Sequence, residues 1–343
     1  MAATMQDVAL LAGVSIKTVS NVVNDYKHVS QATRERVQKA IDKLGYEVNV
    51  SARNLRTGRT GLIALALPEL KLHYFAELAD SVISEAEKVG MQVLVEQTNS
   101  DRAHETALLQ ARPRHMVDGV LFSPLGLGQE DIHLFSVDFP MVLLGERVFG
   151  SPNDHVTMNN VEAAAAATRH LIERGNRRIA LLGSHPGELV GSATLREQGF
   201  REAMAAAGLP VDERLVMDTY YWHRHNGATA TQQLIEGGVE FDAIFAMNDS
   251  LALGALHTLH VNRIEVPDPV SVIGFDDLED SAYAHPTLSS VDPGREQIAR
   301  DAVRLLIERI AEGAKPPVER RPVQRILADY RVVERESTAV TRA

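Results

Sequence analysis

The outward residues near the start of a helix predicted over residues 16–24 carry groups that suit nucleic acid. They are Ile16, Lys17, Thr18, Ser20 and Asn21. Lys17 can donate to base acceptors, and the Asn21 amide matches adenine. The hydroxyls of Thr18 and Ser20 suit phosphate oxygens. These side chains predict a contact with double-stranded DNA through the major groove, and the alternative is a small helical bundle that binds protein.

Three short helices would position these side chains. Thr4 and Asp7 form a capping-box pattern before the first helix, which Gly13 ends. Ser15 caps the second helix, and Ser30 caps a third over residues 31–44. The first two helices, joined by Gly13-Val14-Ser15, predict a helix-turn-helix. The predicted inward faces are Met5, Val8, Ala9 and Ala12, then Val19, Val22 and Val23, then Val37, Ala40, Ile41 and Leu44.

The charge is unevenly distributed along the 343 residues. Residues 1–60 contain nine Lys or Arg and five Asp or Glu, so they carry +4, and the remaining residues carry −15 of the net charge of −11. A small basic segment on an acidic body favours a polyanionic partner for that segment alone, although a chance fluctuation in a solvated surface would look the same.

The order of residues in this basic segment resembles the head of the lactose-repressor (LacI/GalR) family of transcription factors. The resemblance rests on Asp7-Val8-Ala9, Ala12-Gly13-Val14-Ser15, Thr18-Val19-Ser20, Val22-Val23-Asn24, Leu44-Gly45-Tyr46 and the run 52–58. It implies a hinge helix within a linker over 46–60, whose leucine, Leu55 here, wedges into the DNA minor groove. Further DNA contacts implied are Asn49, Ala52, Arg53 and Arg56. The family usually has Pro where this chain has Val48, which puts preorganisation of the hinge in question.

From residue 61 onward, short unbroken apolar runs alternate with helical patterns. The runs 62–67, 93–95, 119–122, 141–144, 179–182, 243–246 and 270–275 are typical of parallel strands buried on both faces. Their order resembles the type I periplasmic-binding fold and implies two α/β subdomains with a ligand cleft between them. We expect an all-α head over 1–45 and a body over 61–335. The subdomains would be about 61–159 plus 291–320, and about 160–290 plus 321–333, with a flexible tail over 336–343.

Residues at strand ends are the candidate effector contacts, because ligands of parallel α/β sheets bind at the carboxyl ends of strands. By the resemblance, Arg196, Asn248 and Asp276 match effector-binding positions, and Trp222 matches a stacking aromatic. Arg196 can donate a fork of hydrogen bonds to two hydroxyls, and the Trp222 indole suits the C–H face of a pyranose. Each has a plain structural alternative: a surface ion pair, a helix cap or core packing. Lesser candidates are Tyr74, Phe75, Glu146 and Arg147, and Asp249 is expected to cap the next helix.

The composition excludes several other classes. The chain has no Cys, which excludes disulfide scaffolds and thiolate metal sites and fits a reducing compartment. It has no signal-peptide pattern and no apolar run of about 18 residues, so we expect a cytoplasmic protein without a membrane partner. Neither a zinc-helix motif, a nucleophile elbow nor a phosphate loop is present, so we expect no enzyme, no metal and no cofactor.

We therefore expect a homodimeric repressor of sugar-utilisation genes that binds a palindromic operator and is controlled by a sugar effector. The alternative is a receptor-like sugar-binding protein whose basic head has another role. The tail after residue 333 is too short and polar for the C-terminal coiled coil that makes some relatives tetrameric, so a dimer would form through the body.

Overall fold

Two units make up the chain, divided between Thr60 and Gly61. A computed structural model describes residues 3–23, 26, 28–46, 59–110, 116–313 and 320–339.

The head contains the three helices that the capping pattern predicts: α1 (Met5–Ala12), α2 (Ile16–Val23) and α3 (Gln31–Leu44). The capping box is formed, because the Thr4 amide donates to Asp7 Oδ2 at 2.9 Å and the Asp7 amide donates to Thr4 Oγ1 at 3.3 Å. Gly13 ends α1 with a φ of 63°, a left-handed conformation in which glycine carries no Cβ penalty. The turn between α1 and α2 is therefore encoded locally.

The core of the head is small and aliphatic. Its buried side chains are Val and Ala from all three helices, together with Tyr46. Two predictions about its faces are wrong. Leu44 is exposed in the last turn of α3, and Ser20 is buried although it was expected to face outward. The buried face of α2 thus includes Ser20 in addition to the valines from which it was predicted.

The body contains parallel strands connected by helices. The strands are β1 (Leu62–Leu67), β2 (Gln92–Gln97), β3 (Gly119–Phe122), β4 (Met141–Leu144), β5 (Asp154–Met158), β6 (Ile179–Ser184), β7 (Val216–Asp218), β8 (Ala243–Ala246), β9 (Ser271–Ile273), β10 (Ser290–Asp292), β11 (Arg325–Ala328) and β12 (Arg331–Val333). The helices are α4 (His73–Lys88), α5 (Arg102–Gln110), α6 (Asn160–Glu173), α7 (Ser192–Ala206), α8 (Arg224–Glu236), α9 (Asp249–Val261), α10 (Glu279–Ala282) and α11 (Arg295–Glu312).

Two parallel sheets define two subdomains. The first sheet has the strand order β11-β5-β4-β3-β1-β2, and the second has the order β7-β6-β8-β9. The chain passes between the subdomains three times: between β5 and α6, between β10 and α11, and between β11 and β12. β10 and β12 pair antiparallel beside these crossings. The carboxyl ends of both sheets are therefore brought to a common cleft.

The boundary of the second subdomain differs from its prediction. Residues 321–333 were expected to belong wholly to it, but β11 pairs in parallel with β5 in the first sheet. Only β12 lies with the second subdomain, so the third crossing falls at Asp329 and Tyr330. Residues 325–333 thus contain two strands of different sheets, separated only by Asp329 and Tyr330.

The described part of the tail is packed, contrary to the expectation of a flexible segment from residue 336. A short 3-10 helix, Glu336–Thr338, buries Ser337 and Thr338. The Ser337 hydroxyl donates to the Val272 carbonyl at 2.6 Å and accepts from the Ser289 amide at 2.8 Å. Hydrogen bonds to the second subdomain, which polarity alone does not reveal, hold this segment in place.

No helix among the described residues is both long and apolar enough to cross a membrane. Nor do three His, Asp or Glu side chains in the same ranges lie close enough together to hold a metal ion.

Candidate functional site

The head presents the start of α2 to solvent. Ile16 and Lys17 are exposed, and Thr18 and Asn21 are half-buried. Ser15 Oγ accepts from the Thr18 amide at 3.1 Å and lies 2.9 Å from Thr18 Oγ1, so it fixes the first turn. Lys17 and Asn21 are accessible side chains of the types that contact bases, whereas Ser20 is a core residue. The predicted hinge contacts Asn49, Ala52, Arg53, Leu55 and Arg56 lie outside the described residues, as does Val48.

In the body, the buried guanidinium of Arg196 is the centre of the strand-end cluster. Its Nε donates to Asn160 Oδ1 at 2.7 Å, and its Nη1 donates to the Met247 carbonyl. Its Cζ lies 3.6 Å from the centroid of the Phe275 ring and 5.3 Å from that of Trp222. Arg196 comes from α7 of the second subdomain, and Asn160 from the crossing after β5. The alternative that Arg196 forms a surface ion pair is therefore wrong, because its side chain is buried.

Asp276 faces Arg196 from the end of β9. Its Oδ1 lies 3.8 Å from Arg196 Nη2, outside hydrogen-bond range. Burial raises the pKa of the Asp276 carboxyl to about 8, although Arg196 acts in the opposite direction. Asp276 also has a φ of 116°, which a non-glycine residue rarely adopts. A strained, desolvated carboxyl of this kind is typical of a ligand-binding position.

Asn248 and Trp222 are connected to each other. Asn248 Oδ1 caps α9 by accepting from the Leu251 amide at 2.8 Å, and its Nδ2 donates to the Trp222 carbonyl at 3.1 Å. The Trp222 indole N–H donates to the Gly183 carbonyl at 3.0 Å. Asn248 is thus a helix cap that also holds the loop carrying Trp222.

The expectation that Asp249 caps this helix is wrong. Its carboxylate accepts from the Leu278 amide at 2.8 Å and from the hydroxyls of Ser281 and Ser290 at 2.7 and 2.6 Å. Burial raises the pKa of Asp249 to about 7 despite these bonds. Asp249 therefore connects α9 to the segments that follow β9.

Glu146 and Arg147, just after β4, reach across the cleft. Glu146 Oε1 accepts from the Thr157 hydroxyl at 2.7 Å and the Met158 amide at 3.1 Å, and Oε2 accepts from the Ser192 hydroxyl at 2.7 Å. Arg147 forms an ion pair with Glu188 and donates to the Val190 carbonyl at 3.2 Å. Both side chains join the two subdomains in this conformation.

Tyr74 and Phe75 lie in the first turn of α4, with their rings edge to face at 5.3 Å. Burial raises the pKa of the Tyr74 phenol, and the negative charges of Asp276 and Glu146 raise it further. The phenol is therefore a hydrogen-bond donor at neutral pH. The structure brings Tyr74, Glu146, Arg196 and Asp276 into one electrostatically coupled cluster.

The sequence reasoning missed other members of this cluster. Asn160 bonds Arg196 directly, and Met158 Sδ lies 3.2 Å from Arg196 Nη2. Arg295 donates to the Asp276 carbonyl at 3.0 Å and pairs with Glu77 at 2.7 Å. Met158 ends β5, Asn160 follows β5 and Arg295 follows β10, and neither strand was predicted from hydropathy. Strand prediction that allowed buried polar residues would have found them.

A helix-turn-helix head and a two-subdomain body with a cleft at the strand ends define a DNA-binding regulator of the periplasmic-binding-protein-like type. Family models agree: residues 4–49 match the bacterial regulatory proteins of the lacI family, and residues 168–338 match a periplasmic binding protein-like domain. A similar relative is the HTH-type transcriptional regulator CelR of Thermobifida fusca, 35% identical over 97% of this chain and 98% of that protein.

Two solved structures are similar over nearly the whole chain. A transcriptional regulator CelR–cellobiose complex is 32% identical with a TM-score of 0.70, and it covers 98% of this chain and 99% of that one. A lac repressor dimer bound to operator and the anti-inducer ONPF is 26% identical with a TM-score of 0.84, over 98% of this chain and 99% of that one. The chain belongs to the LacI family of transcriptional regulators and is not an enzyme.

Proposed function

We propose that this regulator is a repressor of sugar-utilisation genes, that it binds a palindromic operator as a homodimer, and that a sugar in the body cleft controls it. The observation that carries the proposal is the placement of Arg196, Asp276 and Trp222 around one point at the strand ends. Hydroxyl groups of a sugar match the guanidinium donors and the carboxyl, and its C–H face matches the indole.

The comparisons support this choice of effector and assembly. The CelR structure contains cellobiose, and the lac repressor structure is a dimer on operator DNA. A two-fold symmetric site needs a two-fold symmetric protein, which the dimer supplies. Among the strand-end residues, Arg196 and Asp276 are the proposed polar contacts, with Tyr74 and Glu146 beside them.

Switching would use the contacts across the cleft. A ligand shifts a conformational equilibrium only by its difference in affinity for the two states. The hydrogen bond that the Ser192 hydroxyl donates to Glu146 and the ion pair of Arg147 with Glu188 join the two subdomains across the cleft, and both would be lost if it opened. A sugar that prefers this closed state would change the population of the head's DNA-competent arrangement.

The test is Arg196→Ala, studied on DNA selected by the wild-type chain from a random operator library. The variant should keep operator affinity in fluorescence anisotropy and lose its response to the sugar that releases or tightens the wild type. The matched control is Arg304→Ala, whose side chain pairs with Asp301 and Glu308 on its own helix. An unchanged sugar response in Arg196→Ala would refute the assigned site, and failure to select any DNA would favour the receptor-like alternative.

A further inference from the structure

A row of aromatic rings continues outward from Trp222. The ring of His185 lies 5.6 Å from that of Trp222 and 6.4 Å from that of Tyr220, between centroids. Tyr220 and Tyr221 meet edge to face at 4.8 Å. From Tyr221 the row continues through His223 at 6.0 Å. The Trp222 end of the row is beside Arg196, and the tyrosines are at the surface.

The two tyrosines are unusually exposed for neighbouring aromatic side chains. Tyr220 is 82% exposed and Tyr221 is 57% exposed. Burying rings of this size is favourable, so two adjacent exposed rings offer a stacking surface to a ligand. The proposed cleft residues do not use this surface.

The backbone beneath the row is held at several points. The Thr219 amide donates to the Ser184 carbonyl at 3.1 Å, and the His185 ring lies 2.7 Å from the Thr219 carbonyl through Nε2. The Asn248 side-chain amide donates to the Trp222 carbonyl at 3.1 Å. His223 Nε2 lies 3.3 Å from Glu69 Oε1 of the first subdomain. The rings therefore form an ordered surface beside the cleft.

A polar cavity of about 550 Å³ adjoins the row and shares His185 with it. Its acidic lining residues are Glu188, Glu197, Glu213 and Asp218, and Arg201 in the same wall pairs with Glu197 and Glu213. Glu188 is itself paired with Arg147, so the lining offers carboxylate acceptors for hydroxyl groups, and its arginine is already neutralised and gives no free partner to a phosphate. Rings that stack on a C–H face, beside acceptors for hydroxyls, suit uncharged carbohydrate.

We propose that the effector is a neutral oligosaccharide of at least two pyranose rings, rather than a monosaccharide or a sugar phosphate. The inner ring lies at Arg196, Asp276 and Trp222, and the next rings stack on Tyr220 and Tyr221. The inference rests on the proposed sugar effector and adds its length and charge.

The chain supplies its own probe, because Trp222 is its single tryptophan. Quenching of Trp222 fluorescence in the full-length protein should be titrated with glucose, cellobiose and cellotriose. The same titration follows with xylose and xylobiose, galactose and lactose, maltose and maltotriose, and glucose 6-phosphate. We expect one oligosaccharide to bind at least tenfold more tightly than its own monosaccharide, and the sugar phosphate not to bind.

Variants of the surface tyrosines isolate their contribution. Y220A/Y221A should lower the affinity for the oligosaccharide by about five- to tenfold, since a stacking contact contributes about 1 kcal/mol. The affinity for the monosaccharide should change by less than about twofold. Y220F/Y221F keeps the rings and should keep the affinity. Tyr283→Ala is the matched control, because Tyr283 is 81% exposed and its ring is not a member of the row.

The possible failures are distinguishable. Equal affinity for the monosaccharide and its oligomers, or an unchanged oligosaccharide affinity in Y220A/Y221A, overturns the inference and leaves a sugar effector in place. Tighter binding of glucose 6-phosphate than of every neutral sugar overturns it as well. If no sugar in the panel changes the fluorescence, the sugar effector itself is wrong and this inference falls with it.

Discussion

The Ser192 hydroxyl donates a 2.7 Å hydrogen bond to Glu146 Oε2 and thereby joins the two subdomains of the body. Ser192 begins α7, and Glu146 follows β4 of the other sheet. The ion pair of Arg147 with Glu188 and the 3.3 Å contact of His223 with Glu69 cross the same cleft. An apolar cluster also contains residues of both subdomains, with Phe75 and Trp222 packed against it. The polar contacts differ from it because water can replace them when the cleft opens.

Ser192→Ala should loosen this closed conformation. The substitution leaves one oxygen of the buried Glu146 without its partner, and such a loss costs about 1–3 kcal/mol. The loss in free energy of unfolding is measured by chemical denaturation, with Trp222 fluorescence as the signal. The control is Ser81→Ala, whose hydroxyl bonds the Glu77 carbonyl within one helix at 3.0 Å. Equal losses in the two variants would show that the cross-cleft bond has no special weight.

The buried Asp276 predicts a pH dependence of stability with a defined sign. Its folded pKa of about 8 is above the ordinary value of 3.8, so between these values the folded protein holds a proton that the unfolded chain releases. Stability therefore falls as pH rises from about 4 to about 8. Asp249, with a pKa of about 7, contributes a slope of the same sign.

Asp276→Asn removes one of these two contributions. Relative to the wild type, the variant should gain stability as pH rises from 5 to 8, by at most about 1.4 kcal/mol per pH unit for a single proton. Thermal melting monitored at Trp222 across this range tests it, with the exposed Asp80→Asn as control. Parallel pH profiles for Asp276→Asn and the wild type would contradict the assigned burial effect.

The sequence predicted what local chemistry encodes. Thr4, Asp7 and Gly13 determine the ends of α1 through their own side chains or φ preference, and the structure has these caps. The apolar run over residues 62–67 coincides with β1, because a strand buried on both faces needs apolar residues at every position. Family resemblance added Arg196 and Asp276, which the structure brings together.

Polar contacts between residues distant in sequence could not be predicted from local sequence patterns. β5 is buried although it begins Asp154-His155, because Asp154 pairs with Arg309 and Arg321 at 2.7 Å, more than 150 residues further along the chain. His155 Nε2 lies 2.6 Å from the Gly145 carbonyl. Polar residues whose partners are distant in sequence look like loop residues, so this strand and the Asn160 that follows it were missed.

In the hinge, we expect Leu55→Ala to weaken specific operator binding strongly and to leave non-specific binding in place. The resemblance makes Leu55 a minor-groove wedge, which contributes only where the duplex is bent. Phosphate contacts by Lys and Arg survive the change, so the remaining affinity should stay salt-dependent. Filter binding to operator and random DNA across a salt series measures both components. Equal loss on the two DNAs would make Leu55 a structural residue only.

The last prediction concerns assembly and the end of the chain. We expect light scattering to give about twice the chain mass of 37.6 kDa, with the dimer formed through the body. Deleting residues 340–343 should leave this mass and the melting temperature unchanged. A longer deletion from residue 334 is a poor test of assembly, because it also deletes Ser337 and Thr338 and so breaks their buried hydrogen bonds with Ser289 and Val272.

Ser337→Ala separates an effect on stability from an effect on oligomeric state. It should lower stability by about 1–3 kcal/mol, since it leaves the Ser289 amide and the Val272 carbonyl unpaired, and it should not change the mass of the folded protein. A tetramer that becomes a dimer on deletion of 340–343 would overturn the assignment of assembly to the body. A monomer bound to operator would overturn the dimer itself, because a two-fold DNA site requires a two-fold protein.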